Sequence, residues 1–116
     1  MKSNLKANWQ KIKQLQGHSD SVNSVSFSAD GKYLASGSGS VFDKDNTIII
    51  WDIKNWQKIN RLQGHRGSVE SVSFSADGKY LASGSADNTI IIWEIKSWQK
   101  INQLLGHNDS IYSISF

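Results

Sequence analysis

Apolar and small polar residues trade places along this chain in short runs, and glycine and aspartate interrupt the runs at regular intervals. VNSVSF, from Val22, sets Val22 and Phe27 among small polar residues, although Val25 breaks strict alternation. YLASGS follows from Tyr33, then the near-continuous β-branched run TIIIWDI from Thr47, then QKINRL from Gln57. A period of two predicts a strand with one buried face, and an unbroken β-branched run predicts a strand covered on both. The Asp30-Gly31 pair inside SADGK predicts a hairpin turn, because glycine accepts the left-handed backbone angles that the turn demands. There is no proline to interrupt pairing and no run of helical periodicity, so the fold class is all-β.

The same runs then return. GHSDSVNSVSFSADGKYLASGS, from Gly17, reappears as GHRGSVESVSFSADGKYLASGS from Gly64, and DNTIIIWDIKNWQKIN, from Asp45, as DNTIIIWEIKSWQKIN from Asp87. A third copy opens at Gly106 and reads GHNDSIYSISF to Phe116. The spacing is 47 residues from Gly17 to Gly64 and 42 from Gly64 to Gly106. A period near 40 residues made of short strands points to the four-stranded blades of a propeller. On that plan residues 1–16 hold a tail and the outer strand of a preceding blade (Gln10 to Leu15). Residues 17–63 form blade one, 64–105 blade two, and 106–116 begin a third with the inner strand Ile111 to Phe116.

Composition narrows the function. A chain of 116 residues with 38% hydrophobic and 20% charged residues is one globular domain's worth at most. It has no apolar run of about 18 residues, and its first residues have no apolar signal core, so neither a membrane span nor a secretory leader is expected. The absence of cysteine fits a cytoplasmic protein. Lys54, Lys58, Lys96 and Lys100 recur once per repeat beside Trp56 and Trp98, as a solvated outer edge that discourages strand pairing. They do not gather into the basic face that nucleic acid requires. The Gly37-to-Ser40 stretch GSGS has no following lysine and opens no helix, so it is no phosphate loop. Three histidines spaced by whole repeats make no metal site, and neither a metal nor a cofactor is expected. Asn108-Asp109-Ser110 matches a glycosylation acceptor, which carries little weight without a secretory leader.

The set GH, S-x-D-G, LASGS and D-N-T-I-x-x-W-D resembles the WD-repeat β-propeller family, from Trp9 onward. Trp51-Asp52 matches the signature dipeptide and Trp93-Glu94 is its conservative variant; Ala29 and Ala76 stand where the family usually has proline. The resemblance implies a non-catalytic module for protein interaction or scaffolding. It also implies a structural hydrogen-bond network in each blade: His18, Ser36, Asp45 and Trp51 in the first, His65, Ser83, Asp87 and Trp93 in the second. Ser38 and Ser85 share the facing of Ser36 and Ser83, so the choice of serine stays open. The chemistry is sound by itself, since a buried indole N–H needs an acceptor and a histidine can bridge Ser to Asp. His107 has no downstream partners of this kind. Ser, His and Asp also invite a hydrolase reading, but the set recurs in both repeats, each time with a Trp. Repetition is what a structural requirement produces; a catalytic site is needed once.

The near-identity of the repeats makes their differences legible. Ser19, Asp20 and Asn23 become Arg66, Gly67 and Glu70, and then Asn108, Asp109 and Tyr112. These positions follow GH and, by the resemblance, lie on the narrower face near the central channel. The extra residues 40–44 of the first repeat fall in a loop on the same face. Phe42 there is either tucked against its own blade or offered to a partner. Asn23, Phe42, Arg66, Glu70 and Tyr112 are thus candidate partner contacts, with drift on exposed sites after duplication as the alternative. Trp9, Trp56 and Trp98, beside the turn before the fourth strand, suggest packing or capping. Two blades also leave two apolar faces bare. The chain is then part of a longer propeller, a unit of a homo-oligomeric ring, or an open half-propeller. A self-assembling building block of amplified or engineered repeats is the second functional reading.

Overall fold

The computed structural model describes residues 13–40 and 45–105, which form eight strands and no helix. β1 (Val22–Phe27), β2 (Tyr33–Ser38), β3 (Thr47–Asp52) and β4 (Gln57–Gln63) make one sheet in that order. β5 (Val69–Phe74), β6 (Tyr80–Ser85), β7 (Thr89–Glu94) and β8 (Gln99–Leu105) make the second. All neighbours are antiparallel, as short connections require. The terminal strands expected at Gln10 to Leu15 and Ile111 to Phe116 fall outside the described residues, except that Lys13 to Leu15 are irregular backbone.

The tight β1–β2 turn manages without proline. Gly31 takes φ of 75°, its N–H donates to the Ser28 carbonyl at 3.0 Å, and the Ser28 hydroxyl donates to Asp30 Oδ1 at 2.7 Å. The same carboxylate oxygen accepts the Lys32 amide at 3.0 Å, so a side chain ties the turn that a ring would otherwise restrain. Gly78, Ser75 and Asp77 repeat the arrangement in the second sheet.

The broken alternation of the inner strand has a physical cause. The β1–β2 register slips between Val22 and Ser24, and the β5–β6 register slips at the same place, between Val69 and Ser71. A one-residue bulge at Asn23 resets the alternation, so Val22, Val25 and Phe27 share one face and Ser24 and Ser26 the other.

The two sheets stack through that arrangement. Val69, Val72 and Phe74 of β5 join Ala35, Ile48 and Ile50 of the first sheet in one buried cluster with Leu81, Ile91 and Trp93. Gly37 makes room: a Cβ there would lie 2.6 Å from Val69 Cγ1. Polar groups fasten the same contact. The Val72 and Phe74 amides donate to Ser24 Oγ and Ser26 Oγ at 3.2 and 3.3 Å. Tyr33 meets Trp98 edge to face, with centroids 5.3 Å apart. Asn23 belongs here as well. Its Nδ2 donates to Gly39 O, Ser68 Oγ and Val69 O, each at 3.0 Å, which ties the bulge of one blade to the next. Its amide nitrogen is thus committed within the chain, while the residue stays exposed at that edge.

Equivalent residues therefore have opposite environments. Val69, Val72 and Phe74 are 0, 5 and 8% exposed, whereas Val22, Val25 and Phe27 are 53, 56 and 62% exposed. Phe74→Ala should lower unfolding free energy in urea by about 3 kcal/mol, as loss of a buried ring does. Phe27→Ala, on the bare face, should change it by less than about 0.5 kcal/mol. Equal effects would mean that blade one's face is covered in solution.

Candidate functional site

The family-implied network residues come together in both sheets. Trp93 Nε1 donates to Ser83 Oγ at 2.9 Å, Ser83 Oγ lies 2.7 Å from His65 Nε2, and His65 Nδ1 lies 3.0 Å from Asp87 Oδ2. In the first sheet Trp51 meets Ser36 at 2.9 Å, Ser36 meets His18 at 2.8 Å, and His18 meets Asp45 at 3.0 Å. One proton arrangement satisfies every member. The indole donates to the serine, the serine donates to Nε2, and Nδ1–H donates to an ionised aspartate. The open choice of serine closes on Ser36 and Ser83, while Ser38 and Ser85 donate instead to Ser21 O and Gly67 O, at 2.7 and 3.1 Å.

Each aspartate serves as the hub of its loop. Asp87 also accepts the Arg66 amide at 2.9 Å and the Thr89 amide at 2.9 Å, so it joins the residue after Gly-His to the start of β7. Asp45 accepts the Ser19 amide at 2.8 Å and the Thr47 hydroxyl. Burial pushes both carboxyls up, but the hydrogen bonds from threonine, backbone amide and histidine outweigh it and hold their pKa values below the ordinary 3.8. For His65, burial prevails over the pull of Asp87 and lowers the pKa below its ordinary 6.5. His65 is accordingly neutral at pH 7.

The glycine of Gly-His, for which the sequence pattern offered no reason, is explained by the same packing. A Cβ at Gly64 would lie 3.2 Å from Trp93 Cη2, and one at Gly17 would lie 3.0 Å from Trp51 Cη2. The glycine lets the backbone lie against the indole whose N–H the network fixes.

The Ser–His–Asp geometry has the distances of a nucleophile and its base, but its placement is unsuited to that use. Ser83 is fully buried and its oxygen is engaged by both Trp93 and His65. A triad needs its hydroxyl at a cleft beside an oxyanion hole. Ser36 and His18 do line a cleft of about 460 Å³ with Leu15, Val22, Val25 and Trp51. That cleft lies on the face whose counterpart in the second sheet is filled by the first. No cluster of three metal-ligating side chains occurs among the described residues.

The other candidates are dispersed. Arg66 is exposed on the loop before β5, Glu70 is half-buried on β5, and Phe42 and Tyr112 lie outside the described residues, as does His107. The β2–β3 loop does approach the loop before β1, since Ser40 Oγ donates to Asp20 at 2.5 Å and the Gly39 amide donates to Ser21 O at 3.3 Å. Trp56 and Trp98 take left-handed backbone angles, φ 57° and 55°, in the turns before β4 and β8. Trp98 there caps the joint to Tyr33. The recurring lysines Lys54, Lys58, Lys96 and Lys100 are exposed along the outer edge.

Stacked four-stranded meanders, each locked by a Trp–Ser–His–Asp relay, define a β-propeller fragment. The chain belongs to the WD-repeat family: the family model described as "WD domain, G-beta repeat" matches residues 9–52 and 56–94. It is 42% identical over 48 residues to one of the subunits of chromatin assembly factor 1 from Gallus gallus, covering 41% of this chain and 8% of that protein. Among solved structures it resembles the WD40 repeats of RRP9 at a TM-score of 0.79 and U3-55K at 0.74, both at 32% identity. Those matches cover 88 and 84% of this chain but only 31 and 28% of the solved chains. The chain thus spans under a third of the length of each of these relatives.

Ser83→Ala should cost about 1–3 kcal/mol, because it leaves a buried indole N–H and a buried imidazole nitrogen unpaired. Thermal unfolding followed by tryptophan fluorescence checks this, and an unchanged melting temperature would remove the relay from the stability account. A second expectation concerns pH. Since folding lowers the His65 pKa, the unfolded chain binds the proton first, and stability falls as pH drops below about 6.5. The aspartates' contribution is present above their ordinary value of 3.8 and is lost as pH falls through their lower folded values. Melting temperature against pH for the parent and His65→Gln chains separates the two steps; the upper one should flatten in the variant, while the lower one persists through the Thr89 and Arg66 hydrogen bonds to Asp87.

Proposed function

We propose that the chain is a non-catalytic scaffold module that binds a protein partner through the edge carrying the loops before β1 and β5. The observation that carries this reading is where the repeats differ. Residues of the relay and of the stacked faces are the same in both repeats, whereas three of the differences, Ser19 to Arg66, Asp20 to Gly67 and Asn23 to Glu70, gather at one edge, and the others lie on or beside β3 and β4. Repeat frameworks conserve packing and vary the positions that meet partners. Arg66, an exposed cation on a loop braced by Asp87, is the best-placed of these for recognition. The family's general use as a protein-interaction surface supports the same reading.

A second reading, self-association, is favoured by a separate observation. The outward face of blade two repeats the face that blade one offers to β5, with Ser71, Ser73, Ala82, Gly84, Ile90 and Ile92 in place of Ser24, Ser26, Ala35, Gly37, Ile48 and Ile50. The bare face of blade one likewise repeats the one that β5 buries. A second copy could dock head to tail through the contact already present within the chain, and such heterologous contacts form rings where the rotation closes and open filaments where it does not.

A photo-crosslinking residue at position 66 should give adducts with a protein partner, and one at Ala76, in the opposite turn, should not; equal labelling at both would refute the interaction edge. Light scattering across a range of concentration tests self-association. Mass should rise above that of a single chain, and Val25→Glu, on the bare face, should restore the single-chain mass.

A further inference from the structure

The two blades differ at a corner whose acceptors their sequences share. In blade one, Arg61 of β4 reaches across the edge of β3. Its Nη1 donates to Thr47 Oγ1 at 3.1 Å, its Nη2 donates to Gly17 O at 2.8 Å, and Asp45 Oδ1 lies 3.6 Å away. The guanidinium thus rests on a threonine hydroxyl, a glycine carbonyl and the network carboxylate, with its charge set against the aspartate. In blade two the same three acceptors recur as Thr89, Gly64 and Asp87, but the position of Arg61 is taken by Gln103. The neutral, shorter amide does not replace the guanidinium: its Oε1 accepts Lys100 Nζ at 3.2 Å. Instead, Gly64, Asp87 and Thr89 line a cleft of about 350 Å³ beside Gln103, with Arg66 and Lys100 also in its wall.

We infer that this cleft of blade two is a binding site for an arginine side chain of a partner, seated as Arg61 is seated in blade one. The fold builds the acceptors for a planar, multidentate donor, which lysine cannot match. Arg66 and Lys100 set the second requirement. Two cations beside one carboxylate oppose a lone guanidinium, so the fitting segment carries an acidic residue next to its arginine. The arginine enters the cleft and the carboxylate meets Arg66 or Lys100 at its rim. Blade one has no such site, because its own Arg61 fills the corner and Ser19 stands in place of Arg66. The inference rests on the protein-interaction reading and gives that partner its chemistry.

The test titrates the isotopically labelled full chain with the peptide acetyl-Gly-Glu-Arg-Glu-Gly-amide and follows the backbone amides by NMR. Saturable shifts are expected at Gly64, Asp87, Thr89 and Gln103, and they should weaken as salt rises. Replacing the arginine by citrulline, which keeps the planar shape but removes the charge and turns one nitrogen donor into a carbonyl acceptor, should weaken binding at least tenfold. Gln103→Arg installs the residue that blade one already accommodates, so it should fold and should abolish binding by occupying the corner. Three results would overturn the site: no shift with the peptide, equal binding by an arginine-free Glu-Gly-Glu peptide, or unchanged binding to the Gln103→Arg chain. If the crosslinker at position 66 still captures a partner in the Gln103→Arg chain, the arginine site fails while the interaction edge stands.

Discussion

The seating of Val69 on the side-chain-free Gly37 is the contact on which the rest of the structure depends. A four-stranded sheet of this sequence carries apolar side chains on both faces and cannot bury either by itself. Close approach at Gly37 lets β5 settle onto β2, which brings Val72 and Phe74 under cover and sets the Ser24 and Ser26 hydroxyls opposite waiting amides. Apolar burial provides most of the free energy of that joint. The hydroxyls fix its register, and Asn23 ties β1 to the start of β5.

Within each sheet a different constraint operates. The β2–β3 connection must be held against the loop that leads into the inner strand, and the Trp–Ser–His–Asp relay does this from inside. Its members are mutually satisfied and buried, which makes the relay costly to break in any one place. It also explains why a catalytic-looking trio occurs twice. The serine's hydrogen donates to the histidine and its oxygen accepts from the indole, so it spends its polarity on architecture.

Against this repeated framework, the informative residues are those where the repeats part. Ser19 to Arg66 and Arg61 to Gln103 both alter the surroundings of one conserved carboxylate, Asp45 in the first blade and Asp87 in the second. In blade one that carboxylate faces a guanidinium of its own chain. In blade two it lines an open cleft under two exposed cations. Those two substitutions together change the charge and the space around that carboxylate while the relay that holds it stays the same.

Much of this was legible in the chain itself. The strands and the Asp-Gly turns followed from period and glycine placement, because each is fixed by local backbone preference, whereas the relay partners were implied by the family resemblance, with the serine left open. The bounds of β1 and β2 match their runs, and those of β3 and β4 differ by a residue at one end. Three features needed the tertiary structure. Val25 looked like a flaw in alternation until the bulge at Asn23 placed it with Val22 and Phe27. The joint that Asn23 makes between the blades could not be read from the chain, because its partners Ser68 and Val69 are more than 40 positions away. The value of Gly17 and Gly64 depends on indoles that reach them only once the sheet has formed. Sequence alone determined which residues form strands and where the chain turns, since those are properties of short segments. Tertiary structure decided which copy of an identical face is buried and which cleft lies open, because both depend on what stands on the other side.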